Sequence, residues 1–347
     1  MPNIDSEQLT RICHDILIKF GANEEEASTV AKHLVGANLV GHDSHGVLQL
    51  AGYIDRIKKG HIVPGAKLEV VKETPTTAKI DGHWGFGMVV QTKAVQMAIE
   101  KAKKNMVAAV TVACQSHIGM LNTYTRMAAA EGLIAQMHCD SGRGPKQMAP
   151  FGGRDARMGT NPICIALPSD LTAPLFIDMA TSQVAAGKII LARSRHQQVP
   201  VGWMVDKDGN MSTNPDDFFA GGALMPVGGP DGGYKGYGLG AVIEVFAGIL
   251  TGLGWEEDPH ARHNDGSFFI AINVAAFQPI EKFRAEVADF ARYLKSSRPA
   301  KGFKEVFYPG EIEWLTMQER LKTGVPIEDE TWAALIKLAA SVGMSTD

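Results

Sequence analysis

Apolar residues near the start of the chain recur at the spacing of an α-helix. In residues 6–20 six of them share one helical face, which predicts a helix that ends with Gly21 as its C-cap. The six residues are Leu9, Ile12, Cys13, Ile16, Leu17 and Phe20. A second helix is predicted over 24–39, with Asn23 as its N-cap. A third helical pattern ends at Gly60, so the chain is predicted to open with a helical unit of about 60 residues.

After Pro64, short apolar runs typical of strands alternate with helical patterns. Strands are predicted at 67–73, 76–80, 106–113, 133–139, 163–167, 175–179, 201–205 and 268–274. Helices are predicted at 88–104, 119–131, 182–193, 237–251 and 280–295, and the tail at 311–343 is helical again. The strand–helix–strand unit within 106–139 favours an α/β core. We expect two domains: a helical domain from 1–66 and 297–347, and a central domain over 67–296.

Composition and charge narrow the class of protein. The net charge of −4 gives no basic surface for nucleic acid. The four cysteines are far apart, which argues against a disulfide framework or a metal site and fits the reducing cytoplasm. The polar N-terminus is not a secretory signal, and no apolar run is long enough to span a membrane. Glycine is in excess, at 37 of 347 residues, and it clusters with polar residues in four segments.

The first of these segments is GHDSHG, residues 41–46. Asp43 or Ser44 would cap a helix that starts near Gly46, with His45 in its first turn. The positive end of the helix would lower the pKa of His45 and suit it to protonate a developing alkoxide. The alternative is a capped helix with a space-filling histidine.

Two further segments carry candidate ligand groups. SHIGM, residues 116–120, is predicted to open a helix with His117 as a second acid–base group or as a hydrogen-bonding wall of the site. Its alternative is Ser116 as an N-cap beside a structural histidine. Residues 140–162 form a long loop that ends in GTNP, where Thr160 is available to a ligand oxygen, unless the loop is merely solvated.

The fourth segment, GGYKGYGLGA, contains a G-x-G-x-x-A string. A Rossmann fingerprint should follow a strand, whereas the preceding residues form a loop, so we disfavour that interpretation. We expect instead a flexible loop that carries Lys235 to an anion. A buried helix should follow, with Leu239, Val242, Ile243 and Phe246 in the core.

Together these segments resemble one family, the malate/L-lactate dehydrogenases of the second, non-Rossmann type. The matching strings are HDSHGV, SHIG, APFGG, GTNP, DMATS with AAGK, VGWMVDKDGN and GGYKGYGL, and FYPGEIE follows in the tail. They occur in the family's order over nearly the whole chain. HNDGSFFIAIN and WGFGMVV are most similar to the hydroxycarboxylate dehydrogenase B-like subgroup.

The resemblance implies an α/β fold with a non-Rossmann NAD(P)-binding sheet domain and a helical domain built from both termini. It implies a homodimer that interconverts a 2-hydroxy acid and its 2-oxo acid. His45 then resembles the family's proton donor, Ser44 its orienting hydroxyl and Thr160 a substrate contact. The implied cofactor contacts are His117, Ile118, Gly119, Ser141, Asp178, Met179, Ala180, Lys235, Pro309, Gly310 and Glu311. Glu311 would repel a 2′-phosphate, which favours NAD over NADP.

Two positions depart from the family pattern. Gln49 stands where many members carry a carboxylate-binding arginine, which argues against malate and lactate and favours a bulkier hydroxy acid. Lys188 stands where some members carry an acid, and we expect it to stabilise an oxyanion. Reduction of a cyclic imine on the same scaffold and non-enzymatic ligand binding are the alternatives.

Overall fold

The computed structural model describes residues 1–140, 142–258, 262 and 265–344. Its α-helices are α1 (Ser6–Lys19), α2 (Glu24–Leu39), α3 (Leu50–Lys58), α4 (Gly87–Asn105), α5 (Asn122–Ala130), α6 (Ala186–Ser194), α7 (Asp216–Phe219), α8 (Gly229–Ile243), α9 (Ile280–Lys295), α10 (Glu311–Thr323) and α11 (Asp329–Ser341). Its strands are β1 (Asn3–Ile4), β2 (Glu69–Glu73), β3 (Thr77–Gly85), β4 (Val107–Gln115), β5 (Leu133–Cys139), β6 (Ile163–Leu167), β7 (Leu175–Met179), β8 (Met204–Val205), β9 (Met211–Ser212), β10 (Ala223–Leu224), β11 (Ser267–Asn273) and β12 (Val325–Pro326). Among these described residues, no helix has the length and apolar character that a membrane crossing requires.

Seven strands form the main sheet, in the order β2-β3-β4-β11-β5-β6-β7. Only β3 and β4 pair in parallel, and every other neighbouring pair is antiparallel. The late strand β11 lies between β4 and β5, the two strands of the predicted strand–helix–strand unit. The expected α/β class is therefore confirmed, with a mixed sheet.

Small side chains let α4 lie close against this sheet. Ala94, Ala98 and Ala102 recur every four residues and are fully buried, so they form one face of the helix. Val110 and Val112 alternate along β4 and belong to the same core cluster. This packing fixes the end of β4, from which the segment 116–119 continues.

Both ends of the chain contribute to one apolar core. The cluster formed by α1, α2 and α3 also contains Val325, Leu335 and Ala339. Asn23 caps α2 in a capping box with Glu26, as predicted in part by the sequence. The domain division at residues 66 and 297 stays a prediction.

The predicted third helix is wrong at its start. Residues Asp43–His45 and Val47–Gln49 form two 3₁₀ turns, and α3 begins only at Leu50 without a side-chain cap. Asp43 does not cap the helix because its carboxylate binds Asn38 and Arg320 instead. His45 therefore does not lie in the first turn of an α-helix.

The expected helix start at SHIGM is also wrong, since α5 begins at Asn122. Ser116 is not its N-cap. The Ser116 hydroxyl accepts a hydrogen bond from the Gly87 N–H at 2.9 Å and so ties the segment 116–119 to the start of α4.

The glycine-rich segment around Lys235 is helical rather than a loop. It lies within α8, which continues as a π-helical segment over Glu244–Ile249. A Cβ at Gly236 would lie 2.6 Å from the Val227 backbone, and one at Gly240 would lie 2.7 Å from Thr181 Oγ1. These glycines therefore permit close packing. The expectation that the helix is buried fails as well, because Leu239 and Val242 are 36% and 49% exposed.

Candidate active site

The loop that carries His45 is anchored at both sides by polar contacts. Asn38 donates from Nδ2 to Asp43 at 2.7 Å and accepts the Val47 N–H on Oδ1 at 2.8 Å. Arg320, from α10, donates to both carboxylate oxygens of Asp43, at 2.7 and 3.2 Å. Such a charge-assisted, two-point contact fixes orientation as well as distance. The C-terminal part of the chain thus helps to hold His45 in place.

The structure brings the two candidate histidines together. The rings of His45 and His117 are stacked, with centroids 5.8 Å apart and planes 21° apart. Ser44 Oγ lies 3.0 Å from His45 Nδ1, where a hydroxyl can orient the ring. Burial, and then the neighbouring charge of His42, lower the pKa of His45, while Asp265 opposes them. A lowered pKa of His45 is what the sequence predicted, but the cause is burial and not the end of a helix.

Tyr53 is a partner of His117 that the sequence did not reveal. Its hydroxyl lies 2.6 Å from His117 Nδ1. Burial raises the pKa of Tyr53 far above its usual value, so the hydroxyl stays protonated and can donate to Nδ1. A neutral His117 ring then carries its own proton on Nε2. In the sequence, Tyr53 is only one apolar position of the third helical pattern.

Asp265 is a second residue of the site that sequence patterns missed. Its carboxylate is buried, with 5% of the residue exposed, and Oδ2 accepts the Ile118 N–H at 3.0 Å. Its charge also favours the protonated form of His45. Asp265 stands just before β11, which pairs with β4, and β4 leads directly to His117. Only this strand pairing could have identified it.

The candidate substrate groups lie beside Ser44. Gln49 donates from Nε2 to the Ser44 carbonyl at 2.8 Å, so its amide is folded back onto the loop. A Cβ built on Gly187 would find Ser44 at 3.9 Å as its nearest neighbour, which leaves the start of α6 open next to that serine. This helix has no side-chain cap, and Lys188 lies exposed in its first turn. The positive end of this helix and the Lys188 ammonium suit an oxyanion.

The segments expected to bind a cofactor meet along β7. Asp178 Oδ2 accepts the Asn122 N–H at 2.8 Å and its amide at 2.9 Å, and burial raises the pKa of this carboxyl. The Pro309 carbonyl accepts the Phe176 N–H at 3.3 Å, which places Pro309–Glu311 beside the same strand. Met179 and Ala180 continue the strand, half-buried.

Two further segments lie beside these residues along β7, and we call the whole group the band along β7. Thr181, the residue after Ala180, donates its N–H to the Thr160 carbonyl at 2.8 Å. Gly236 packs against Thr181, so the exposed Lys235 lies beside it on α8. Near the other end of the band along β7, Ile118 is buried and Gly119 has a φ of +74°. Ser141 lies outside the described residues.

A family model described as malate/L-lactate dehydrogenase matches residues 4–336. The chain belongs to the malate/L-lactate dehydrogenase family. The malate dehydrogenase of Pyrococcus abyssi is 36% identical over 348 residues, covering 98% of this chain and 95% of that protein. An Escherichia coli O157:H7 protein named ureidoglycolate dehydrogenase (NAD(+)) is 34% identical over 340 residues, covering 96% and 95%. The crystal structure of malate dehydrogenase from Entamoeba histolytica superposes with a TM-score of 0.95 at 32% identity and covers 99% of both chains.

Membership of the malate/L-lactate dehydrogenase family confirms the resemblance read from the motifs. It also confirms the prediction of an enzyme, an oxidoreductase of the hydroxy acid dehydrogenase class that uses a nicotinamide cofactor. The roles of the individual residues stay predictions.

The loop anchor gives a first prediction for this family member. A Cβ at Gly46 would lie 2.2 Å from Asn38 Oδ1, an atom already fixed by its bond to Val47. We expect Gly46→Ala to lower the free energy of unfolding by about 1–3 kcal/mol, as overpacking does. Gly52→Ala is the matched control, because no atom lies within 4 Å of that position inside α3. It should raise stability by about 0.5–1 kcal/mol. Denaturant unfolding of both variants checks this, and equal effects would contradict it.

Proposed function

We propose that the protein interconverts a 2-hydroxy acid and its 2-oxo acid, with His45 as the proton donor in reduction and the acceptor in oxidation. One observation carries the proposal, the stacking of His45 on His117 with Ser44 on one ring and Tyr53 on the other. Two imidazoles held this way can address one carbonyl oxygen from the same side.

Each side chain has a separate role in this proposal. Ser44 orients His45, and His117 offers its Nε2–H to the substrate oxygen. Lys188, at the open start of α6, stabilises negative charge on that oxygen, and Thr160 contacts the substrate. The nicotinamide, when bound, supplies or accepts the hydride. Catalysis then rests on positioning and on one proton transfer, which is worth about 10²–10⁴-fold.

The residues along β7 fit an extended dinucleotide on this mixed sheet, without a Rossmann turn. The exposed Lys235 supplies a cation for phosphate, and Gly119 and Gly310 adopt left-handed conformations that keep side chains off the band. We propose NAD rather than NADP. Glu311 keeps a carboxylate near the expected ribose, although its pairing with Lys295 weakens the repulsion of a 2′-phosphate.

We further propose that the enzyme acts in the cytoplasm as a homodimer. The support is an apolar stripe along α8 and its π-helical extension. Val242, Val245 and Ile249 on this stripe are each about half exposed. A second copy of the chain is the occupant that the family resemblance favours.

The deciding experiment for the proposed function is a substrate screen with purified protein. NADH and NADPH oxidation are followed in parallel with aliphatic and aryl 2-oxo acids and with cyclic imines. We expect turnover of 2-oxo acids, faster with NADH, and bulky acids ahead of oxaloacetate and pyruvate. Turnover of imines alone would establish the alternative enzyme. Cofactor binding without any turnover would favour a ligand-binding protein.

A further inference from the structure

A network of buried polar side chains lies where β4 and β11 meet α4, next to the segment 116–119. Gln91 on α4, Gln115 at the end of β4 and Ser267 at the start of β11 are all fully buried. Gln91 Oε1 accepts a hydrogen bond from Ser267 Oγ at 2.6 Å and another from Gln115 Nε2 at 3.1 Å. Apolar side chains of the same shape could fill this space with little loss of stability. The network is therefore a candidate for a role besides packing.

An unusual backbone conformation turns Gln115 into this network. Val110 and Val112 belong to the core cluster under α4, and strict alternation along β4 would turn Gln115 to the opposite face. Cys114 interrupts the alternation with a φ of +53°, a left-handed conformation that is unfavourable for any residue with a Cβ. Such strained residues occur where the position of their neighbours matters for function.

Gln115 ties the network to Asp265 through both its side chain and its main chain. Its Nε2 atom donates to the Asp265 carbonyl at 3.1 Å and to Ser267 Oγ at 3.2 Å. Its own carbonyl accepts the Asp265 N–H at 3.2 Å. The Asp265 carboxylate in turn accepts the Ile118 N–H, at 3.0 Å. The network is thus linked by hydrogen bonds to the segment that carries His117.

The residue after Asp265 is fixed from the side of β5. Asp140 Oδ1 accepts the Gly266 N–H at 2.7 Å, and the Asp140 N–H donates to the Gly266 carbonyl at 3.1 Å. A Cβ at Gly266 would lie 2.0 Å from the Ala247 carbonyl oxygen, so the π-helical segment packs closely on the same backbone. Asp265 is therefore held between β5 and β4, and Gln115 supplies the contacts on the β4 side.

We propose that Gln115, held by Gln91 and Ser267, is a positioning residue that places His117 against His45 through Asp265. Its side chain acts on the Asp265 backbone, and the Asp265 carboxylate then fixes the chain at Ile118. The inference rests on the proposed function, in which the two histidine rings must address one substrate oxygen.

Gln115→Met tests this inference, because it removes the amide and keeps the length of the side chain. We expect kcat for 2-oxo acid reduction to fall by about 10–100-fold, since a misplacement of about 1 Å costs about 100-fold. Kinetics are measured well below the unfolding midpoint of each protein, where a residue that only stabilises the core would leave kcat unchanged. A wild-type kcat in Gln115→Met would therefore overturn the proposal.

A triple variant separates positioning from stability. Gln91→Met and Ser267→Ala, added to Gln115→Met, remove the polar groups that the single variant leaves without their partner. The triple variant should unfold at a higher urea concentration than Gln115→Met and yet have no higher kcat. Recovery of kcat to the wild-type value would overturn the proposal. Gln96→Met, at an exposed position of the same helix, is the matched control and should change neither kcat nor the urea midpoint.

The NMR signal of the His117 ring gives a readout that needs no turnover. It is identified in histidine-labelled protein by its loss in His117→Asn, and it reports the contact with the Tyr53 hydroxyl. We expect Gln115→Met to shift this signal and to leave that of His14, on α1, in place. An unshifted His117 signal would overturn the proposal. A shifted signal in a protein whose wild type reduces no 2-oxo acid would support the positioning of His117 and refute the proposed function alone.

Discussion

His45→Asn should lower kcat for 2-oxo acid reduction by about 100-fold or more, the usual value of one positioned proton donor. Asparagine can still bond to Ser44 Oγ, so the loop held by Asp43 and Arg320 should keep its shape. What is lost is the group that delivers the proton. Cofactor affinity should change little, because His45 does not belong to the band along β7.

Steady-state kinetics at saturating NADH and NADH fluorescence titration measure these two effects. His83→Asn is the control, since His83 is exposed near the end of β3, where the strand register shifts, and asparagine tolerates its left-handed backbone. It should retain wild-type kcat. If His45→Asn stayed active while His117→Asn did not, His117 would be the proton donor.

The pH dependence of the two directions follows from the lowered pKa of His45. Reduction needs the protonated ring, so its rate should fall as pH rises through a value below 6.5, the ordinary histidine pKa. Oxidation needs the neutral ring and should rise over the same interval. Profiles of kcat/KM against pH in both directions locate this change in rate, the pH limb, which should be absent in His45→Asn.

Sequence patterns predicted a helix or strand correctly where the residues of the segment itself determine its structure. The strand β5, Leu133–Cys139, and the helix α9, Ile280–Lys295, have the bounds expected from their sequence. The helix α8 was misjudged because glycine disfavours helices in isolation. Its glycines are required because the helix packs closely against Val227 and Thr181, which lie outside the helix and do not show in its own sequence pattern. Tertiary packing outweighed local propensity there.

The same distinction holds for the active site. Sequence motifs located His45 and His117, whose segments are recognisable on their own. They did not reveal the contact of Tyr53 with His117, across 64 residues, or that of Asp265 with Ile118, across 147. The second contact depends on the insertion of β11 beside β4, and an antiparallel strand that enters a sheet late leaves no periodic signal.

Asp265→Ala should lower kcat/KM by about 100-fold, the cost of displacing a reacting group by about 1 Å. The substitution leaves the buried Ile118 N–H without its acceptor, which should also reduce stability by about 1–3 kcal/mol. The segment that carries His117 then loses its attachment to the strand before which Asp265 stands.

Asp265→Asn separates the charge of this residue from its hydrogen bond. An amide oxygen can still accept the Ile118 N–H, so the fold and most of the activity at low pH should survive. The negative charge that favours protonated His45 is gone, so the pKa of His45 should fall further. The pH limb of both reactions should therefore move to lower pH, slowing reduction near neutrality. Asp170→Asn, an exposed acid, is the control and should leave the limb in place. An unmoved limb in Asp265→Asn would mean that Asp265 acts only as an anchor for the segment 116–119.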